Sequence, residues 1–313
     1  FNAKIGDKTV AIPAVKIADG VISTSELINN TLNNANTALG EDAFQRIIKD
    51  AHQANIMFLI QQANLRASEL KSAGMKDFHN QVAEVNAAEN KKISNIEISA
   101  YASPDGATDL NTGLAEKREA NTNKYLSKEL KKAKVDAVVD AKYTAEDWEG
   151  FQELVSKSNI QDKELILRVL SMYQDPEQRE REIKNISSVY KNLADDILPQ
   201  LRRSRLTLNY EIIGKSDEEI AKLADADASK LSLEEILYAA TLTNDNAKKA
   251  AIYTKATQQF PNDYRAYNNL GALAFQAGDV TKAESFLSKA ASLKAAPEVS
   301  MNQGLLALAK GDK

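Results

Sequence analysis

Cysteine is absent from this 313-residue sequence, and histidine is nearly absent. Without cysteine the protein has no disulfide bond, no thiolate metal site and no cysteine nucleophile. The two histidines, His52 and His79, fall on separate predicted helices with no carboxylate at metal-ligand spacing, so we interpret both as helix-surface residues. We therefore expect neither a metal nor a cofactor.

Sequence signatures of catalysis are missing as well. The sequence has no serine-hydrolase elbow, zinc-protease helix or glycine-rich phosphate loop. Aromatic residues make up only 6% of the chain, so no sugar-binding groove is evident beside the acidic stretch Glu146–Glu149. Acidic residues in such a stretch are typical of a helix start. We expect that the protein is not an enzyme.

Long apolar runs and an excess of basic charge are also missing. No stretch of about 18 apolar residues occurs, so the sequence predicts no membrane-spanning helix. A net charge of −4 argues against general nucleic-acid binding, and the basic cluster Leu201–Arg205 is more typical of a solvated strand end than of an anion site. The chain begins at Phe1 without the features of a secretion signal, so we interpret it as a processed piece of a longer precursor.

The composition, with 43% hydrophobic and 27% charged residues, is typical of a folded protein, and the length suits two or three domains. Residues 1–45 form the first part. Apolar and polar residues alternate over residues 10–17, which predicts β-structure, and an Asn- and Thr-rich connector follows. A short helix is expected next, with Phe44, Ile47 and Ile48 on one side.

Residues 46–214 carry the pattern of a sheet with crossover helices. Apolar runs and alternation predict strands, and helical spacing predicts helices, in the order strand 56–60, helix 71–91, strand 93–98, helix 109–133, strand 135–143 and strand 206–212. A helical segment at about 144–200 precedes the last strand, either as an insertion or as a separate small domain. The expected fold class is α+β, a βαβαβ-type sheet covered by two helices.

Residues 215–313 contain an internal repeat and no strand pattern. The segment from Ala266 matches the segment from Val299 at a shift of 33 positions, so that Gly271 corresponds to Gly304. Repeats of this period stack as helical hairpins. The region resembles a tetratricopeptide array, and we expect that the array is truncated at the end of this chain.

Arg118 lies within the apolar stripe of the predicted helix 109–133. On a helical wheel it falls between Ala115 and Thr122, whereas Lys117 and Lys124 lie on the opposite face. One interpretation is structural, in which the arginine snorkels or meets a carboxylate at the sheet edge. The other interpretation is a binding role.

The sequence around this arginine resembles a known family. It reads Asn111-x-x-Leu114-Ala115-x-x-Arg118-x-x-x-Thr122-x-x-x-Leu126 and follows a strand ending at Tyr101 and a loop containing Gly106. This is similar to the signature of the OmpA-like peptidoglycan-associating domain, Asn-x-x-Leu-Ser-x-x-Arg-Ala-x-x-Val-x-x-x-Leu, from which it departs at Ala115, Glu119 and Thr122. The segment around Ala63 and Leu65 and the paired arginines Arg202 and Arg203 are similar as well, so the resemblance covers about residues 55–213. It implies that Arg118 binds a carboxylate of diaminopimelate in the peptidoglycan stem peptide.

In that family an aspartate at the end of the preceding strand, fifteen positions before the arginine, takes the ammonium group of diaminopimelate. Here that position is Ser103, and Asp105 and Asp109 are the candidate replacements. A serine hydroxyl bonds an ammonium group but does not neutralise it, and Asp105 also suits a plain turn. Backbone amides near Asp109 and Asn111 add donors at the helix start. The candidate site comprises Ser103, Asp105, Asp109, Asn111 and Arg118.

The resemblance implies a non-catalytic cell-envelope protein in the periplasm, associated with the outer membrane through a part outside this chain. Its expected partners are the peptidoglycan stem peptide and an envelope protein or peptide that binds the repeats. An alternative keeps the OmpA-like fold but treats Ser103 as the mark of a lost site, which leaves an interaction scaffold. A wall-modifying enzyme is the third hypothesis.

Overall fold

The computed structural model describes residues 2–11, 36–160, 162–186 and 191–311. The chain divides into two compact units. Residues 45–214 form the first unit, and residues 1–44 together with 215–313 form the second. Within the described residues, no helix is both long enough and apolar enough to cross a membrane.

Residues 2–11 form an antiparallel hairpin of strands β1 (Asn2–Ile5) and β2 (Lys8–Ala11). Gly6 in its turn has a φ of 59°, a conformation that glycine adopts without steric cost. The remainder of the β-structure predicted over residues 10–17, and most of the connector after it, lie outside the described residues.

The first unit is built on a four-stranded mixed sheet. Its strands are β3 (Ile47–Met57), β4 (Lys91–Tyr101), β5 (Val139–Thr144) and β6 (Arg203–Ile213), in the spatial order β3-β6-β4-β5. The last strand, β6, runs antiparallel to both of its neighbours, while β5 runs parallel to β4 at the sheet edge. The predicted combination of helices with a sheet is therefore confirmed.

The helix predicted after Glu41 is wrong. Residues from Ile47 onward belong to β3, and every residue of β3 pairs with β6, from Ile47 opposite Ile213 to Met57 opposite Arg203. Spacing between Phe44, Ile47 and Ile48 is compatible with a helix, but long-range strand pairing overrides this local pattern. His52 consequently lies on a strand and not on a helix.

Two helices cover one face of this sheet. After a short helix α1 (Ala67–Leu70), helix α2 (Ala73–Ala87) follows β3, and helix α3 (Thr108–Ala133) follows β4, as predicted. The core between sheet and helices contains Ile56, Phe58, Met75, Phe78, Val82, Val85, Ile96, Ile98, Leu126, Leu130, Leu206 and Leu208. Alternate strand residues point into this core, as the period of a half-buried strand requires.

Residues between β5 and β6 form a helical insertion with a core of its own. It contains helices α4 (Trp148–Lys157), α5 (Lys163–Met172) and α6 (Pro176–Asn185), a π-helical turn (Leu193–Ile197) and a short helix α7 (Leu198–Leu201). Its apolar cluster includes Phe151, Val155, Ile166, Leu170, Leu193 and Leu201.

The second unit is helical after residue 215. Its α-helices are α8 (Asp217–Ala226), α9 (Leu233–Ala239), α10 (Asn246–Gln259), α11 (Tyr264–Gln276), α12 (Val280–Leu293) and α13 (Pro297–Lys310), and consecutive helices pack on one another. Gly278 and Gly311, which are 33 positions apart, follow α11 and α13 with φ of 78° and 85°. The repeat seen in the sequence therefore coincides with a structural repeat.

Candidate functional site

Helix α3 places Arg118 inside the first unit. The buried residues of this helix are Asn111, Ala115, Arg118, Thr122, Leu126 and Leu130, which are spaced by three or four positions and share one face. Arg118 is 1% exposed, so the placement of this cation within the packing stripe is confirmed.

The guanidinium of Arg118 is held by backbone carbonyls. Its Nε donates to the carbonyl of Gln62 at 2.9 Å, its Nη1 to that of Tyr101 at 2.8 Å and its Nη2 to that of Leu59 at 3.3 Å. The ring of Phe58 lies 5.0 Å from the guanidinium carbon, within cation–π range. Within the described ranges, three of the five N–H groups of the guanidinium are therefore satisfied, which leaves two for another acceptor.

The acceptors of these bonds come from two strand ends. Strand β3 ends at Met57, and the chain then turns, with Gln61 at a φ of 56° and the amide of Gln62 donating to the carbonyl of Leu59 at 3.1 Å. Strand β4 ends at Tyr101. Both strand ends lie beside the first residues of β6. The guanidinium of Arg118 is therefore bound by backbone carbonyls at this end of the sheet.

Among the residues of the described ranges, no carboxylate lies within ion-pair distance of Arg118, so the ion pair offered by the structural interpretation is not seen. Burial lowers the pKa of Arg118 to about 10, the nearby Arg202 cation acts in the same direction, and Asp105 opposes them. The side chain still carries its charge at neutral pH, because that pKa lies well above 7.

Ser103, Asp105 and Arg202 form a polar cluster near Arg118. The hydroxyl of Ser103 donates to the Asp105 carboxylate at 2.7 Å, and Arg202 donates to the same carboxylate at 2.8 Å and to the Ser103 hydroxyl at 3.2 Å. Ser103 is buried, whereas the side chains of Asp105 and Arg202 retain 15% and 11% exposure. The Asp105 carboxylate is thus oriented by both Ser103 and Arg202.

A small cleft brings most of the predicted site residues together. It has a cavity volume of about 40 Å³, opens to solvent, and is lined by Ile60, Gln61, Ala102, Ser103, Asp105, Gly106, Leu110, Asn111, Leu114 and Arg118. Asp109 is exposed on α3 and is not one of the lining residues.

Asn111 connects the cleft to the start of the helical insertion. Its amide nitrogen donates to the carbonyl of Gly106 at 3.0 Å and to Glu146 at 3.3 Å, and the Thr108 hydroxyl donates to the same carboxylate at 3.1 Å. The N-cap residue Ala107 provides no side-chain cap. First-turn amides of an uncapped helix retain donors for an anion.

The residues that sequence reasoning missed are those whose backbone holds Arg118. Carbonyls at Leu59, Gln62 and Tyr101 carry no side-chain signal, so no motif could have indicated them. The sequence predicts Arg202 at a solvated strand end or as part of a paired-arginine motif, whereas in the structure it is largely buried against Asp105. Comparison with known proteins adds no assignment, since neither a family model nor a curated protein matches the chain.

Proposed function

We propose that this protein is a non-catalytic cell-envelope component that binds peptidoglycan by holding diaminopimelate in the cleft beside Arg118. One observation supports the proposal above all: a buried cation, Arg118, and a partly exposed anion, Asp105, line the same small cleft. A cleft with both charges complements an amino-acid head that carries both an ammonium and a carboxylate group.

The roles of the side chains follow from their remaining hydrogen-bonding capacity. Arg118 has two N–H groups left for a ligand carboxylate. Asp105 accepts the ligand ammonium, and Ser103 and Arg202 hold its carboxylate in place. The uncapped start of α3 favours a second carboxylate nearby. In this arrangement Asp105 supplies the negative charge that Ser103 lacks.

The second half of the proposal concerns the helical repeats, which present a scaffold to another envelope protein. The resemblance to an OmpA-like domain followed by a tetratricopeptide array implies a periplasmic location for both functions, since diaminopimelate peptidoglycan is accessible there. Incubation with sacculi is expected to release no soluble fragments, because the proposal contains no catalytic group.

One observation favours an alternative in which the fold is retained and peptidoglycan binding is lost. The carboxylate of Asp105 already forms an ion pair with Arg202 at 2.8 Å, which reduces its availability for a ligand ammonium. In this alternative the Ser103, Asp105 and Arg202 cluster is purely structural. Binding measurements separate the two functions.

The experiment compares two carboxylates that lie four positions apart on the same loop and helix start. Asp105→Asn removes the anion from the cleft, and the matched control Asp109→Asn removes an exposed anion outside it. A hydrogen bond to a charged group contributes about 1.5–3 kcal/mol, so Asp105→Asn should weaken binding to diaminopimelate-type sacculi by about 10- to 150-fold. Asp109→Asn should bind like the unmodified protein.

Lysine-type sacculi provide the second comparison, since they lack the carboxylate that Arg118 is proposed to bind. Unmodified protein should sediment with diaminopimelate-type sacculi and remain in solution with lysine-type sacculi. Thermal unfolding of both variants shows that weaker binding to sacculi is not caused by unfolding of the protein. Equal binding to the two wall types, or equal weakening by the two substitutions, would refute the proposed site and favour the alternative.

A further inference from the structure

An extended segment, residues 36–44, lies along the helical repeats of the second unit. Its sequence is Asn-Thr-Ala-Leu-Gly-Glu-Asp-Ala-Phe, and it forms neither helix nor strand. We call this segment the strap, and the surface of α9, α11 and α13 that contacts it the groove. Strap and groove belong to the same compact unit, although 191 to 264 positions separate the residues that bond.

Two asparagines at equivalent repeat positions hold the strap by its backbone. Asn269 on α11 accepts from the amide of Gly40 at 2.7 Å and donates to the carbonyl of the same residue at 3.0 Å. Asn302 on α13, 33 positions later, makes the same pair of bonds to Ala38, at 2.9 and 2.6 Å. Each repeat therefore binds both backbone groups of one residue, with a spacing of two residues along the strap.

A third asparagine joins these two. Asn268 donates to the carbonyl of Ala38 at 2.9 Å and accepts from Asn302 at 2.9 Å. Asn268, Asn269 and Asn302 are 0%, 1% and 2% exposed. Because a buried amide without partners strongly destabilises a protein, three amides in this position make a built site for a peptide backbone.

The groove selects against side chains at one position. A Cβ atom added to Gly40 would lie 2.8 Å from Cγ, 2.9 Å from Cβ and 3.1 Å from Cα of Arg265. The Cα cannot move without the helix, and Arg265 itself is fixed by ion pairs to Glu234 and Asp263. A residue at this point of a bound peptide must therefore be glycine.

Little apolar surface holds the strap in place. Leu39 is 45% exposed, and of the strap residues only Gly40 is buried. Phe44 stacks on Tyr238 at 4.5 Å, and the amide of Ala43 donates to Glu234 at 2.6 Å. A segment attached mainly through polar contacts opens at lower free energy than the helical core beneath it.

We propose that the groove is a binding site for an extended peptide with glycine at the position facing Arg265, and that the strap occupies this site in cis. A partner peptide binds only after it displaces the strap. This inference rests on the scaffold half of the proposed function and is independent of the Arg118 cleft. It identifies the partner chemistry as an extended backbone of small residues with glycine at this position.

The test uses a labelled peptide with the strap sequence and the full chain. Gly40→Ala excludes the chain's own strap from the groove, whereas the exposed neighbouring substitution Leu39→Ala leaves it bound. A peptide can bind only those molecules whose groove is free, so its apparent affinity falls in proportion to the fraction of grooves that the strap leaves open. The Gly40→Ala variant should therefore bind the peptide about tenfold or more tightly than the unmodified chain or the Leu39→Ala variant. The same peptide with alanine in place of its glycine should not bind to any of them.

Two further measurements show whether the Gly40→Ala variant is folded and whether the peptide binds in the groove. Circular dichroism of Gly40→Ala should retain the helical signal, and adding Asn269→Ala to it should abolish peptide binding. Gly40→Ala that binds no better than Leu39→Ala, or a peptide whose glycine is dispensable, would overturn the inference. Sacculus binding by the same variants should be unchanged, so a failure of the peptidoglycan site is distinguishable from a failure of the groove.

Discussion

Asp147 attaches the helical insertion to the sheet, and its removal should destabilise the first unit strongly. Its carboxylate caps α4 by accepting from the amide of Gly150 at 2.9 Å, and it also forms an ion pair with Arg203 at 2.8 Å. Asp147 and Arg203 are 5% and 7% exposed. In Asp147→Ala the helix loses its cap, and a buried cation loses its partner.

The magnitude follows from these two losses. An N-cap residue contributes about 1 kcal/mol. Breaking a buried ion pair by removing one partner costs about 3–5 kcal/mol, and we take the lower end because Arg203 also lines a cleft that opens to solvent. The free energy of unfolding should therefore fall by about 4 kcal/mol, a large part of the roughly 5–15 kcal/mol of a typical domain.

Asp175→Ala is the matched control. Asp175 caps α6 of the same insertion by accepting from the amide of Gln178 at 2.8 Å, but it is exposed and has no ion pair within the described ranges. Its removal should lower the free energy of unfolding by about 1 kcal/mol. The difference between the two decreases in the free energy of unfolding gives the contribution of the buried ion pair between Asp147 and Arg203.

Urea unfolding of the full chain measures both variants through one fluorophore. Trp148 is the only tryptophan of the chain, and it follows Asp147 directly. Its indole donates to Glu146 at 3.0 Å, so its emission should change when the insertion detaches. Equal losses for Asp147→Ala and Asp175→Ala would refute the assignment of the ion pair as the main attachment.

Two further predictions concern packing and pH. Gly271→Ala should destabilise the repeats by about 1–3 kcal/mol, because its Cβ would lie 2.7 Å from Cγ of Leu287, whereas Gly304→Ala meets no atom within 4 Å and should be neutral or slightly stabilising in urea unfolding. Burial lowers the pKa of His79, whose ring contacts the Tyr125 hydroxyl at 3.0 Å. The unfolded chain therefore binds a proton near pH 6.5 that the folded chain takes up only at lower pH, so stability is lost as pH falls through that window. His79→Gln should reduce this loss between about pH 7.5 and 5, and an unchanged pH dependence would exclude His79 as its source.

The sequence predicts best those elements whose pattern is local. The buried face of α3 follows from helical spacing alone, and the structure confirms it from Asn111 to Leu130. Strand β3 was misassigned over its first half, because the strand that pairs with it lies about 150 residues later, at Arg203–Ile213. Pairing over that distance leaves no trace in the spacing of Ile47 and Ile48.

The candidate site shows the same limit. The position of Arg118 on a packing face is readable from the sequence, but the carbonyls that bind it depend on where β3 and β4 end. The strap was missed because asparagine side chains bind its backbone, and the strap residues themselves carry no pattern. Asn269 and Asn302 recur at the repeat spacing, and this recurrence was the available signal for a second site.

The central position of β6 governs how the chain folds while it is being made. Strand β3 emerges from the ribosome early, but β6 separates it from β4 in the finished sheet, so it has no partner until Ile213 has been synthesised. Throughout translation of the insertion, β3 is an open edge with unpaired amides and carbonyls. Premature termination within the insertion therefore leaves an aggregation-prone fragment instead of a smaller folded domain.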